Sequence, residues 1–124
     1  MRYMTFIKTN ENLRDKTIPP ALLEAMGEFV AENMKNGKLV ETNGLKSSHK
    51  GKRVRLRGGQ LQVIDGPFTE SKEIVGGYAI IEAKSEQEAL DVAVQFMELH
   101  RIHWPEFEGE SEIRPFDTGE PGSE

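Results

Sequence analysis

The chain has 124 residues, no cysteine, and 21 acidic against 16 basic side chains, for a net charge of −5. That length suits one domain with a core of its own, and the missing thiols exclude disulfides and thiolate metal sites, which points to a reducing cytoplasm. The opening MRYMTFIK lacks the apolar run of a signal peptide, and no stretch approaches the ~20 apolar residues of a membrane helix, so a soluble protein without a membrane partner is expected.

In chain order, Tyr3 to Ile7 is short, aromatic and β-branched, which predicts a first strand. Asn10 to Thr17 reads as polar loop. Pro19 and Pro20 pre-set φ for a helix start, and Leu22, Leu23, Met26, Phe29, Val30 and Met34 follow at spacings of three and four, an amphipathic helix ending near Gly37. Leu39 to Glu41 predicts a second short strand.

In KRVRLRGGQLQVIDG the period changes to two. Val54 and Leu56 point one way and Arg53, Arg55 and Arg57 the other, while Leu61, Val63 and Asp65 share a face across a Gly58-Gly59 link, the signal of a hairpin. Ile74 to Ala83 is apolar nearly throughout and predicts a central strand covered on both faces. Ser85 and Glu88 form the capping pattern S-x-x-E ahead of Ala89, Leu90, Val92, Ala93, Phe96, Met97 and Leu99, a second helix. His100 to Gly109 reads as irregular, with Pro105 ending any helix. Glu112 to Phe116 is a last strand.

These elements give a ferredoxin-like α+β order, β-α-β-β-β-α-β, with an antiparallel sheet and two helices on one face. One domain is expected over residues 1–116, followed by a flexible acidic tail over residues 117–124. Since the helices shield one face of a sheet whose central strand is apolar on both, a homodimer packing sheet to sheet is expected.

Charge is unevenly placed. Lys46, Lys50, Lys52, Arg53, Arg55 and Arg57 fall together without an acid, whereas residues 106–124 carry seven acids against Arg114 alone. The acidic total argues against nucleic acid as a partner. The basic stripe is a solvated hairpin edge that discourages strand pairing, a surface meeting the acids of residues 106–112 across an interface, or an anion site.

Two readings stand for Asp65. Asp before Gly-Pro accepts backbone amides and defines a turn; beside Ile64, Phe68 and Tyr78 its carboxyl would be desolvated and suited to general acid or base work. Glu70, Lys72 and Glu73 form loop ion pairs, or Lys72 anchors an anionic substrate. Gly76-Gly77 suggests a bulge or close backbone approach, since neither G-x-x-x-x-G-K-[ST] nor G-x-G-x-x-G is present. His100, His103 and Glu106 offer three metal ligands on paper; the balance favours a histidine-rich helix end, and neither metal nor cofactor is expected. Trp104 and Phe107 are expected to pack that loop onto the core or a partner.

Asp65-Gly66-Pro67-Phe68, then Thr69-Glu70-Ser71-Lys72-Glu73, Gly76-Gly77-Tyr78, Ser85-Glu86-Gln87-Glu88-Ala89 and Glu112-Ile113-Arg114-Pro115, resemble the DGPF branch of the YCII-related family. The resemblance implies a dimeric α+β barrel with a pocket between sheet and dimer interface, and a contextual link to sigma factors. In another branch a histidine on the first helix has been suggested to pair with an aspartate as a catalytic dyad; residues 19 to 37 here hold no histidine.

Two functions follow. One is a small-molecule enzyme with Asp65 as acid or base, Tyr78 as donor, and Lys72, Arg55, Phe68 and His49 contacting the ligand near the Asp-Gly-Pro-Phe turn, in a proton-transfer, isomerase- or lyase-like reaction. The alternative is a non-catalytic ligand-binding or regulatory module, linked to sigma-factor regulation by resemblance.

Overall fold

The structure, a computed structural model, describes residues 1–14, 17–68 and 73–119. Its elements are β1 (Arg2–Thr9), α1 (Glu11–Arg14), α2 (Pro20–Lys35), β2 (Leu39–Gly44), β3 (Lys52–Arg57), β4 (Gln60–Asp65), β5 (Ile74–Glu82), α3 (Glu86–His103) and β6 (Gly109–Pro115). A four-stranded sheet runs β2-β5-β1-β6 with every pairing antiparallel, which is the ferredoxin-like order, and β3-β4 forms a sheet of its own. Four strands lie between α2 and α3, where the order β-α-β-β-β-α-β has three, and two of them form the hairpin outside the main sheet.

Local signals explain the elements. Pro19 precedes α2 with Pro20 in its first turn, and Gly37 beyond its end takes φ +81°, the left-handed setting in which a Cβ is disfavoured. Ser85 Oγ accepts the Glu88 amide at 3.1 Å and starts α3. The polar segment after β1 differs from expectation: Asn10 Oδ1 accepts the Leu13 amide at 2.8 Å, closing the turn of α1 and burying Leu13. Helix α3 likewise runs on through His103, one residue short of Trp104 and two short of Pro105. Its last turn is held by the packing of His100 against Phe96 and Phe107.

Alternation sorts the main sheet into two faces. The pairs Tyr3–Ile81, Thr5–Ala79 and Ile7–Gly77 face the helices, where Tyr3, Leu39, Ile81, Ala83, Ala89 and Val92 form one core cluster with Phe29 and Val30 of α2. A second cluster, Leu13, Leu22 and Trp104 with Met26, Leu99 and Phe107, closes the other end. The opposite face presents Met4 and Phe6 of β1 beside Ile80 and Tyr78 of β5, all half-buried. Between Ile7 and Lys8 the β1–β5 register shifts so that Gly76 is the extra residue, a bulge at the paired glycines.

The hairpin turns through Gly58 and Gly59, both at positive φ, as a two-residue turn matching strand twist requires. Its register pairs Lys52–Asp65, Val54–Val63 and Leu56–Leu61 on one face, and those four aliphatic side chains are 65 to 73% exposed. At its base, a Cβ on Gly66 would lie 1.7 Å from the Ser48 carbonyl oxygen. The Gly66 amide donates to Gly51 O at 2.9 Å, and the Phe68 amide to Ser48 Oγ at 3.0 Å.

Gly66→Ala is therefore expected to destabilise the protein by about 2–4 kcal/mol, since backbone rather than a movable side chain blocks the added methyl. Gly27→Ala, in the exposed interior of α2 with nothing within 4 Å of the new atom, should instead stabilise by about 0.5–1 kcal/mol. Urea unfolding of both variants checks the contrast.

Candidate functional site

A cavity of about 440 Å³ lies between the two long helices and the sheet. Its floor is made by Thr5, Ile7, Gly77 and Ala79, its walls by Leu22, Met26 and Phe29 of α2 and by Val92, Ala93 and Phe96 of α3, and its far end by His100, Trp104 and Phe107. Protein interiors normally pack to the density of organic crystals. A void this large falls in the size range of small-molecule sites. No acidic or basic side chain, apart from the imidazole, is among the described residues that line it.

His100 is the one imidazole among the described lining residues and is only 6% exposed. Its Nδ1 lies 3.0 Å from the Phe96 carbonyl oxygen; a carbonyl only accepts, so the proton sits on Nδ1 and Nε2 carries a lone pair. Phe96 meets the ring edge-on at 4.9 Å and Phe107 lies at 4.7 Å. Burial pushes the His100 pKa down, and the Phe96 bond opposes this more weakly. The neutral imidazole is thus the resting form at neutral pH.

The structure places the sequence-derived candidates elsewhere. The Asp65 side chain is 74% exposed and pairs with Lys52 Nζ at 2.5 Å. Among the described residues no turn amide donates to it, and it does not line the cavity. Phe68 is buried, but under the Arg53 guanidinium, which sits 3.9 Å from its ring centroid. Arg55 is half-exposed on the same hairpin. His49 lies exposed on the helical turn Ser48–Lys50, its Nδ1 3.4 Å from Ser47 Oγ. Lys72 falls outside the described residues. Asp65, Phe68 and Arg53 thus meet at the hairpin base, away from the cavity.

Tyr78 borders the cavity, and its hydroxyl donates to Glu41 Oε2 while accepting from Asn43 Nδ2 at 3.0 Å. Nearby, Lys8 pairs with Glu112 at 2.6 Å, which lowers the carboxyl pKa and raises that of the amine. Among the described residues no three His, Asp or Glu side chains gather as metal ligands, and no helix is long and apolar enough to cross a membrane.

The YCII-related domain model matches residues 1–96. The chain belongs to the YCII-related family. No curated protein matches it. The matched range takes in β1 to β5 and stops at Phe96, so His100, Trp104 and Phe107 follow it and complete the cavity of this YCII-related chain from outside that range.

Sequence reasoning passed over His100 as a site residue because it weighed the imidazole as a metal ligand or a helix-end charge. The signal lay in spacing: Phe96 and His100 are four apart on one helical face with Trp104 four further on.

With its pKa lowered on folding, His100 binds a proton less readily in the native state than in the unfolded chain. Stability therefore rises with pH between the folded value and the ordinary value of about 6.5, and is lost as pH falls from about 6.5 through the folded value. Thermal unfolding from pH 7.5 to 4.5 should show a shallower loss in His100→Gln than in the parent, and equal slopes would remove His100 from the acid response.

Proposed function

We propose that the protein is a ligand-binding module whose cavity between α2, α3 and the sheet takes up a small, mainly apolar molecule. The observation that carries this is a void of about 440 Å³, walled by aliphatic and aromatic side chains and bordered by a buried, neutral imidazole. Cavities walled mainly by apolar side chains bind hydrocarbons when offered them. Position favours binding over acid–base chemistry at Asp65, whose carboxylate is hydrated and already neutralised by Lys52. The regulatory form of the proposal, in which occupancy is passed to a partner such as a sigma factor, uses the same cavity and rests on family resemblance.

Proton transfer keeps one supporting observation, the Asn43–Tyr78–Glu41 chain of hydrogen bonds on the outer face of the strand that floors the cavity. It polarises the Tyr78 hydroxyl toward Glu41 and so away from donation to a substrate. Toluene at millimolar concentration should raise the Tm of the parent, because a ligand that binds only the folded state stabilises it by mass action. Ala93→Leu, which adds a three-carbon isopropyl group at a buried position of α3 that lines the void, should abolish that rise. An unchanged parent Tm would overturn the proposal.

The same proposal includes a homodimer. Two surfaces support it: the half-buried Met4, Phe6, Tyr78 and Ile80 on the face away from the helices, and the exposed aliphatic face of the hairpin. An isolated two-stranded hairpin is marginal in water, so a partner that covers Val54, Leu56, Leu61 and Val63 would stabilise it. Sedimentation at micromolar concentration should give twice the chain mass, and Phe6→Glu should return it to one. A parent that sediments as a single chain would end the dimer reading.

A further inference from the structure

We infer that the cavity selects an uncharged ligand bearing a hydroxyl group on an apolar, ring-sized body, a phenol or similar alcohol, with the hydroxyl donating to His100 Nε2. This rests on the cavity-binding proposal and names its ligand class.

Apart from half-buried Ser111, the polar side chains of the lining can be accounted for one at a time. Thr9 Oγ1 donates to Glu108 O at 2.9 Å and Thr42 Oγ1 to Tyr78 O at 2.8 Å. Asn43 and Tyr78 bond each other and Glu41. Three polar groups on buried residues are left without a partner among the described residues: the hydroxyl of Thr5, a residue 6% exposed, Nε2 of His100, 6% exposed, and the indole N–H of Trp104, 9% exposed. Buried polar groups are otherwise satisfied in nearly all native structures, so three around one void specify what should fill it.

Their chemistry narrows the choice. Nε2 is an acceptor, the indole N–H is a donor, and a threonine hydroxyl is both. Both rings flank Phe107, Trp104 at 5.4 Å and His100 at 4.7 Å between centroids. A ligand hydroxyl meets this end best, since one oxygen carries a donor for Nε2 and lone pairs for an N–H. An ether or ketone only accepts and leaves Nε2 bare. A carboxylate faces the lone pair of a neutral imidazole, and among the described residues no basic side chain lines the cavity to pair with it. An ammonium group finds no carboxylate among the described lining residues. The surrounding faces of Phe96, Phe107 and Trp104 suit an aromatic body at offset or edge-on contact.

Three probes of one shape test this: p-cresol, toluene and 4-methylbenzoate, titrated by calorimetry into the full chain at pH 7.5. The expected order is p-cresol about tenfold tighter than toluene, the weight of one well-made buried hydrogen bond, with no detectable binding of 4-methylbenzoate. His100→Phe should bring the p-cresol to toluene ratio close to one. The nitrogen resonance of His100 Nε2 in the parent should move on adding p-cresol and stay in place on adding toluene, which serves as the readout if the variant does not fold. Toluene binding as tightly as p-cresol, or a p-cresol preference that survives His100→Phe, overturns the hydroxyl assignment and leaves the cavity standing. Failure of both p-cresol and toluene to bind overturns the cavity itself.

Discussion

The space beneath the helices exists because of the side chains that β1 and β5 turn toward them. At one end the register sets Tyr3 against Ile81, two large residues that reach the helices and bury with Val92 and Ala89. One pair further along it sets Thr5 against Ala79, and then Ile7 against Gly77. Thr5, Ala79 and Gly77 are short and leave the floor low, while the helices are held up by Tyr3 and Ile81 at one end and by Leu13, Leu22 and Trp104 at the other. Gly77 cannot readily be enlarged, since a Cβ there would approach Asn43 O to 3.1 Å. Close pairing of β5 with β2 thus enforces the absence of a side chain where the cavity needs it absent.

The Asp-Gly-Pro-Phe turn belongs to a different part of the design. Three of its four residues fasten the hairpin to the segment before it: Asp65 to Lys52, Gly66 to Gly51 and Ser48, Phe68 to Ser48 and Arg53. Backbone contact closer than any Cβ allows fixes the glycine, and the aspartate closes the first cross-strand pair of the hairpin. An exposed ion pair of this kind contributes about 0–1 kcal/mol. The clamp therefore depends mainly on the buried phenyl ring and the backbone bonds.

Much of the fold was legible in the sequence. The change of period from 3.6 to 2 at Lys52, the Gly58-Gly59 turn, the Ser85 cap and the apolar run of β5 each act locally, and local rules suffice to read them. The hairpin's separation from the main sheet was not legible, because an alternating strand looks the same whether it pairs with two neighbours or one. The candidate site was missed for a related reason. Attention went to a carboxylate in a conspicuous turn, whereas desolvation, which makes a titratable group unusual, depends on what the rest of the chain stacks over it. His100 is buried only because residues 104 to 107 fold back, through the bond from the Phe107 amide to Trp104 O at 2.8 Å, to lay Phe107 on its ring.

The sheet also works as a partition between two electrostatic environments. On its outer face, alternation gathers Arg2 with Glu82, Lys8 with Glu112, and Glu41 with Tyr78, leaving the helix side free of full charge. That division follows from a period of two, and each strand residue that adds a charge outside frees its neighbours to line the void. A neutral imidazole is stable only on the dry side, where no carboxylate faces it to favour its protonation. β5 carries both environments on alternate residues, with Gly77 and Ala79 on the floor of the cavity and Tyr78 and Ile80 outside. A ligand that pressed on the floor would act on the outer face through the backbone of a single strand, the shortest mechanical path between the cavity and the surface proposed for a second copy.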